Sequence, residues 1–344
     1  MKRTIVLTVL LFLAVPSMVG AIALDSASIF VTPQGPRGNA AKLVKQFNCF
    51  GTPYCDGTGN MTASFSTIGA GRESRIAVGD FDGDATADVL TTNGSDTDGI
   101  TTFIYSQQGV SASLEPYAGY TAAVDIASGD VDGDGVDELL TCPMRDARPR
   151  VKVFDYDADA SQWVRTKTFN AFVGTETGCT VDAGDVDGDG TDEIVVGTGP
   201  GLRSKARVFT GDGTLLETFK PYGITMLAGI DVAAGDLTGD GNADIVTTPQ
   251  GSERVRVKVF NVVPKQRLMV FKAFSGTQRY GASVSVGNVD GDVGNEIVVG
   301  LGPNGRAMLK AFNYSATPTE AFRFLTHETI RSGIDVATYR YLIL

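Results

Sequence analysis

One short motif, met five times at nearly even spacing, limits this chain more than any other feature. The copies are Gly79-Asp80-Phe81-Asp82-Gly83-Asp84, Gly129-Asp130-Val131-Asp132-Gly133-Asp134, Gly184-Asp185-Val186-Asp187-Gly188-Asp189, Gly235-Asp236-Leu237-Thr238-Gly239-Asp240 and Gly287-Asn288-Val289-Asp290-Gly291-Asp292. Their first ligand-type residues stand at 80, 130, 185, 236 and 288, so the intervals are 50, 55, 51 and 52. Repetition at that length means a supersecondary unit that buries its apolar faces only by stacking on its neighbours.

Each unit reads as four strands. A run of small and branched residues precedes the loop, as in Ile230-Asp231-Val232-Ala233-Ala234, and suits an inner strand where sheets crowd together. An apolar strand follows the loop, as in Ile194-Val195-Val196 or Ile297-Val298-Val299. After a Gly/Pro turn, Val255-Arg256-Val257-Lys258-Val259-Phe260 alternates with the period of a half-buried strand. A fourth strand, such as 267–274, completes the unit, and no long segment carries a helical period. The expected fold is all-β: a six-bladed β-propeller of four-stranded blades. Blades fall near 72–120, 121–176, 177–226, 227–279 and 280–331, with a closing blade made of 28–71 plus 332–344. The ends carry that last assignment. Ile29-Phe30-Val31-Thr32-Pro33-Gln34-Gly35 matches the post-loop stretch Ile245-Val246-Thr247-Thr248-Pro249-Gln250-Gly251, yet no Asp loop precedes it. Gly333-Ile334-Asp335-Val336-Ala337 matches the pre-loop stretch Gly229-Ile230-Asp231-Val232-Ala233. The C-terminal strand is therefore expected to supply the inner strand that the N-terminal segment lacks, which removes free sheet edges.

The loops point to a hard cation. Positions one, three, five and nine are Asp80, Asp82, Asp84 and Asp88 in the first loop; Asp130, Asp132, Asp134 and Glu138 in the second; Asp185, Asp187, Asp189 and Glu193 in the third. The fourth has Asp236, Thr238, Asp240 and Asp244, and the fifth Asn288, Asp290, Asp292 and Glu296. Alternate residues of a tight turn converge their oxygens on one centre, and packed carboxylates repel one another without a counter-cation. Ca²⁺ takes six to eight such oxygens, so up to five Ca²⁺ ions are expected. Zinc and copper favour His and Cys instead. Position twelve, where an EF-hand needs a bidentate Glu, is Thr91, Thr141, Val196, Thr247 or Val299, so the helix-flanked EF-hand is excluded.

Residues 1–23 read as a signal peptide: Lys2 and Arg3, then an apolar run from Thr4 to Val15, then Ala21-Ile22-Ala23 as a small-x-small cleavage site. The run is short for a membrane span. The expectation is a secreted or extracytoplasmic protein, with one domain over 24–344 and no membrane span after cleavage. Removing Lys2 and Arg3 takes the formal charge from −11 to −13, and five divalent ions would return it to about −3. Such acidity argues against nucleic acid as a partner. Two disulfides are expected, Cys49–Cys55 and Cys142–Cys179, the second between adjacent blades.

Loops of the form D-x-D-x-D-G-x-x-[DE], each between strands, resemble the FG-GAP repeats of integrin α-subunit propellers and the related VCBS-type repeats of bacterial exported proteins. The turns Gly197-Thr198-Gly199-Pro200 and Gly300-Leu301-Gly302-Pro303, with Phe209 and Phe312 ending the next strand, fit the same family. The resemblance implies calcium at the loop residues and roles in adhesion or ligand binding. No motif supports catalysis: the single His, His327, lies in no recognisable arrangement. The expected function is a non-catalytic binding or adhesion module for a glycan or protein. The alternatives are a polysaccharide lyase or hydrolase on the same scaffold, or a structural cell-surface component. Basic residues gather near the hairpins opposite the loops, with Arg150, Arg207 and Arg256 marking a candidate docking rim.

Overall fold

The computed structural model describes residues 28–33, 43–48, 60–66, 73–92, 102–106, 109–275, 279–290, 292–303, 305–327 and 333–338. The expected signal peptide at 1–23 and the Cys49–Cys55 pair lie outside the described residues.

Those residues form strands, turns and bends with no helix. In chain order the strands are β1 (Ser28–Pro33), β2 (Leu43–Asn48), β3 (Asn60–Ser66), β4 (Ile76–Gly79), β5 (Asp88–Thr92), β6 (Thr102–Ser106), β7 (Gly109–Leu114) and β8 (Val124–Gly129). Next come β9 (Glu138–Pro143), β10 (Arg150–Asp157), β11 (Gln162–Asn170), β12 (Cys179–Gly184), β13 (Glu193–Thr198), β14 (Ala206–Phe209), β15 (Leu215–Phe219) and β16 (Ile230–Gly235). The last are β17 (Asp244–Pro249), β18 (Arg256–Asn261), β19 (Gln266–Lys272), β20 (Ala282–Gly287), β21 (Glu296–Leu301), β22 (Ala307–Asn313), β23 (Thr319–His327) and β24 (Ile334–Thr338).

They make six four-stranded antiparallel sheets. Five are meanders of consecutive strands, β4–β7, β8–β11, β12–β15, β16–β19 and β20–β23. The sixth has the order β24-β1-β2-β3, and Ile29 to Pro33 of β1 pair with Thr338 back to Ile334 of β24. The first strand of each sheet packs on the first strand of the next: β4 on β8, β8 on β12, β12 on β16, β16 on β20, β20 on β24, and β24 on β4.

Burial falls from the first strand of a sheet to the fourth. In the sheet of β16–β19, β16 and β17 are buried throughout, β18 alternates, and β19 is largely exposed. Sheets meet through apolar faces. Leu140, Val151 and Val153 of one sheet, for example, share a cluster with Val181, Ile194 and Val196 of the next. Dry interfaces of this kind are the main stabilising term in a molecule without helices. Cys142 at the end of β9 and Cys179 at the start of β12 form the expected inter-sheet disulfide, with Cα atoms 5.7 Å apart.

Glycine decides how closely the sheets approach. Gly178 and Gly281 precede their inner strands at φ +67° and +63°, and a Cβ at either would sit 2.2 or 2.5 Å from backbone of the preceding sheet's turn. Only glycine satisfies both demands. The contact is fixed by hydrogen bonds from Gly178 and Gly281 N–H to the carbonyls of Ala147 and Glu253 in that turn, at 2.9 and 3.1 Å.

Candidate metal centres

The acidic loops join the first strand of a sheet to its second, so all five lie at one end of the strands. Turn geometry explains their shape. In the second loop Asp130 accepts the N–H of Gly133 at Oδ1 (2.7 Å) and of Gly135 at Oδ2 (2.9 Å). Asp185 and Asp236 repeat these bonds with Gly188 and Gly190, and with Gly239 and Gly241. Position five turns back on the chain: Asp134, Asp189 and Asp240 accept the N–H of Val136, Thr191 and Asn242. Position nine begins the second strand, where one carboxylate oxygen accepts the N–H of position two. Val131 to Glu138, Val186 to Glu193, Leu237 to Asp244 and Val289 to Glu296 are all 2.8–3.2 Å. The other oxygen is left for the loop interior.

Four loops bring three carboxylate oxygens within 4.8 Å of one another: Asp80, Asp82 and Asp84; Asp130, Asp132 and Glu138; Asp185, Asp187 and Glu193; Asp290, Asp292 and Glu296. Asp88, Asp134 and Asp189 stand outside these triplets. In the fourth loop, where Thr238 replaces a carboxylate, Asp236, Asp240 and Asp244 form no such triplet. In the fifth, the Asn288 side-chain amide donates to the Asp292 carbonyl at 2.6 Å.

Electrostatics show what these clusters lack. Burial pushes position nine upward, nearby loop carboxylates add to it, and the position-two N–H opposes it. Glu138 and Glu296 rise to about 8, and Asp88, Glu193 and Asp244 to about 7. Asp82 and Asp290 are also raised, chiefly by burial. Asp88 Oδ2 and Asp244 Oδ1 have no hydrogen-bond partner among the described residues, on side chains of residues only 4% and 0% exposed. Orphaned buried carboxylate oxygens are costly unless a cation meets them. The donors are all hard oxygens, so the four triplets could hold a metal ion.

Neighbouring loops are hooked together at a residue that sequence reading passed over, position eight. The N–H of Asp137, Asp192 and Ala243 reach the carbonyls of Asp80, Asp130 and Asp185 in the preceding loop at 2.8, 2.8 and 2.6 Å. The Asn295 amide reaches that of Asp236 at 2.7 Å. Asp137 also accepts the Asp80 N–H at 2.9 Å. A second residue missed is Asp155, one place beyond the Phe154–Leu139 pair of β10 and β9 and hence beside Glu138. Its Oδ1 is buried without a hydrogen-bond partner among the described residues, and its carboxyl is raised by burial and by Asp132 and Asp134 against the opposing pull of the Thr166 hydroxyl.

A second acidic centre lies among the inner strands. Asp125, Asp231 and Asp335 surround Arg75, their Oδ1 atoms 3.4, 3.9 and 2.7 Å from its guanidinium nitrogens, and all four residues are buried. Each Asp also accepts a backbone N–H of the following sheet, from Val181 (2.9 Å), Val284 (2.9 Å) and Ile76 (3.1 Å). Thr180 and Ser283, at the matching places in the intervening sheets, donate to the carbonyls of Ile230 and Ile334 at 2.9 and 2.8 Å. Burial opposes the charge of Arg75, but Asp335, Asp125 and Asp231 outweigh it and its pKa is raised. Three carboxylates exceed one guanidinium, and burial raises both Asp125 and Asp231.

The basic residues of the opposite rim divide into two groups. Lys152 and Lys258 lie 4.4 and 4.8 Å over the rings of Tyr117 and Tyr222, and Arg207 lies 5.1 Å over Phe172 while donating to the Ala171 carbonyl at 2.7 Å. These are cation–π staples between sheets. Arg256 is exposed and Arg150 partly so, and among the described residues neither guanidinium forms an ion pair.

Residues 185–247, covering the third and fourth loops, match the FG-GAP-like repeat family. No curated protein matches the chain. Among solved structures, a protein from Lactobacillus plantarum is similar at TM-score 0.52 and 13% identity, covering 87% of this chain and 82% of that one. The Dos1 propeller gives 0.45 and 8%, covering 83% and 69%. The rhamnogalacturonan lyase YesW gives 0.38 and 16%, covering 83% of this chain and 54% of that one. Among the described residues no helix is long and apolar enough to cross a membrane.

Proposed function

We propose that this chain is an exported six-bladed propeller whose loops hold Ca²⁺, and that it serves outside the cytoplasm as a non-catalytic binding or adhesion module for a glycan or protein. The pairing of β24 with β1 and the succession of inner-strand contacts from β4 round to β24 support a closed ring. The buried oxygens of Asp88 and Asp244, without a hydrogen-bond partner among the described residues and on carboxyls that burial raises to about 7, carry the metal reading. Calcium would be structural in this role, holding the turn between first and second strands and, through the position-eight hooks, its neighbour. The metal-loaded end is thereby committed to stability. The opposite rim, with exposed guanidinium groups, is left for a ligand.

Counting bound metal by mass spectrometry on the purified protein, with melting curves in EGTA and in millimolar calcium, tests the first part. Three to five Ca²⁺ per chain and a marked loss of stability in EGTA are expected; identical melts with no bound ion would overturn it. A glycan array with and without chelator tests the second part, retention being expected only with calcium present.

A further inference from the structure

Two sheets carry the same corner at the rim opposite the acidic loops, and only one corner is filled. In the sheet of β8–β11 the Tyr117 hydroxyl lies 2.9 and 2.6 Å from the carbonyls of Thr141 and Arg150, with Lys152 over the ring. In the sheet of β16–β19 Tyr222 lies 2.9 and 2.6 Å from the carbonyls of Thr247 and Arg256, with Lys258 over the ring. At the first corner Tyr120 stands three residues on, its ring 6.3 Å from Tyr117 and its hydroxyl 2.6 Å from the Arg145 carbonyl. Arg145 itself pairs with Glu73 at 2.6 Å. At the second corner, counted back from the inner strand, the places of Tyr120 and Arg145 are taken by the slimmer Met226 and by Gly251.

The missing bulk leaves a recess of about 340 Å³. Tyr222, Met226 and Pro249 make an apolar wall; Arg254, Arg256 and Arg279 contribute three guanidinium groups, with Glu253 beside them. Among the described residues none of these three arginines forms an ion pair, unlike Arg145 at the filled corner. Cavities of this size hold small ligands rather than extended chains. Guanidinium groups bind carboxylates in bidentate fashion. An inorganic anion would leave the apolar wall unused, whereas a pyranose ring can lay its C–H face on that wall, and Glu253 can accept its hydroxyls.

We propose that this recess binds a uronic-acid unit of an acidic saccharide. The proposal rests on the reading of the rim as a glycan-docking face and narrows it to one corner and one sugar class. Calorimetric titration of the full chain, saturated with calcium, against a trisaccharide of galacturonic acid tests it. Its methyl ester and sodium sulfate serve as the comparison probes. Binding of the acid form is expected, weakened at least about tenfold by esterification and by the double variant R254A/R279A. Met226→Tyr, which rebuilds the filled corner, is expected to abolish binding without changing the melt. Equal binding of acid and ester, full competition by equimolar sulfate, indifference to all three substitutions, or no binding at millimolar saccharide would each overturn it. Calcium stoichiometry and the EGTA melt are read on the same samples, so failure of this site is distinguishable from failure of the metal reading.

Discussion

The loop rim and the inner-strand centre meet the same electrostatic problem with different means. Both gather three or more carboxylates in partly or wholly buried space, and both lie where one sheet is tied to the next, by position eight in the loops and by the Asp side chains themselves at the inner strands. The inner centre carries its own cation, Arg75, and spends the second oxygen of each Asp on a backbone N–H. The loops carry no basic residue between positions one and nine, and some of their buried oxygens have no hydrogen-bond partner among the described residues. One centre is complete within the chain. The other could take a metal ion, which is the reading proposed above.

That contrast can be broken at several points. The largest effect is expected from Arg75→Met, which strands three buried carboxylates. Removing one partner of a buried ionic group typically costs about 3–5 kcal/mol, and denaturation midpoints in saturating calcium should show the loss unrepaired by more metal. Chelation is the converse test. Each ion held at a hundred times its dissociation constant stabilises by about 2.7 kcal/mol. EGTA should therefore lower the melting temperature of the parent and of Asp125→Asn by similar amounts.

Single loops sharpen the comparison at smaller scale. Glu193→Gln, in a loop where three carboxylates converge, should remove one ion from the count by mass spectrometry. Thr238→Asp should tighten the fourth loop about tenfold, since it restores the ligand whose absence leaves Asp236, Asp240 and Asp244 apart. A pH dependence that survives saturating calcium is expected as well. Asp125 is raised to about 7 in the fold, against about 3.9 unfolded. Its contribution is therefore fully present below pH 4 and is lost as pH rises through 7. Denaturation midpoints between pH 5 and 8 should slope downward in the parent, and less so in Asp125→Asn.

The loops were legible because each is a local device. Nine consecutive residues contain their ligand set, the glycines that permit the turn, and the strand starts on either side. Spacing near fifty residues then counted the units, and the matching ends placed β24 beside β1. The Cys142–Cys179 bridge followed from the same register. Asp137, Asp192 and Asn295 were not legible, because position eight contacts the preceding loop, some sixty residues away, rather than its own.

The inner centre shows most plainly where the reading stopped. Arg75, Asp125, Thr180, Asp231, Ser283 and Asp335 occupy equivalent places, each five residues before a real or expected loop start. Nothing local joins a lone arginine to carboxylates as many as 260 residues away. The amino-acid order by itself determined the repeat, the all-β class and the residues of each acidic loop, because those depend on contacts within one unit. Which charges neutralise one another at the inner strands, and which rim corner stands open, was decided only when the sheets packed, because burial and distance between units belong to the assembled fold.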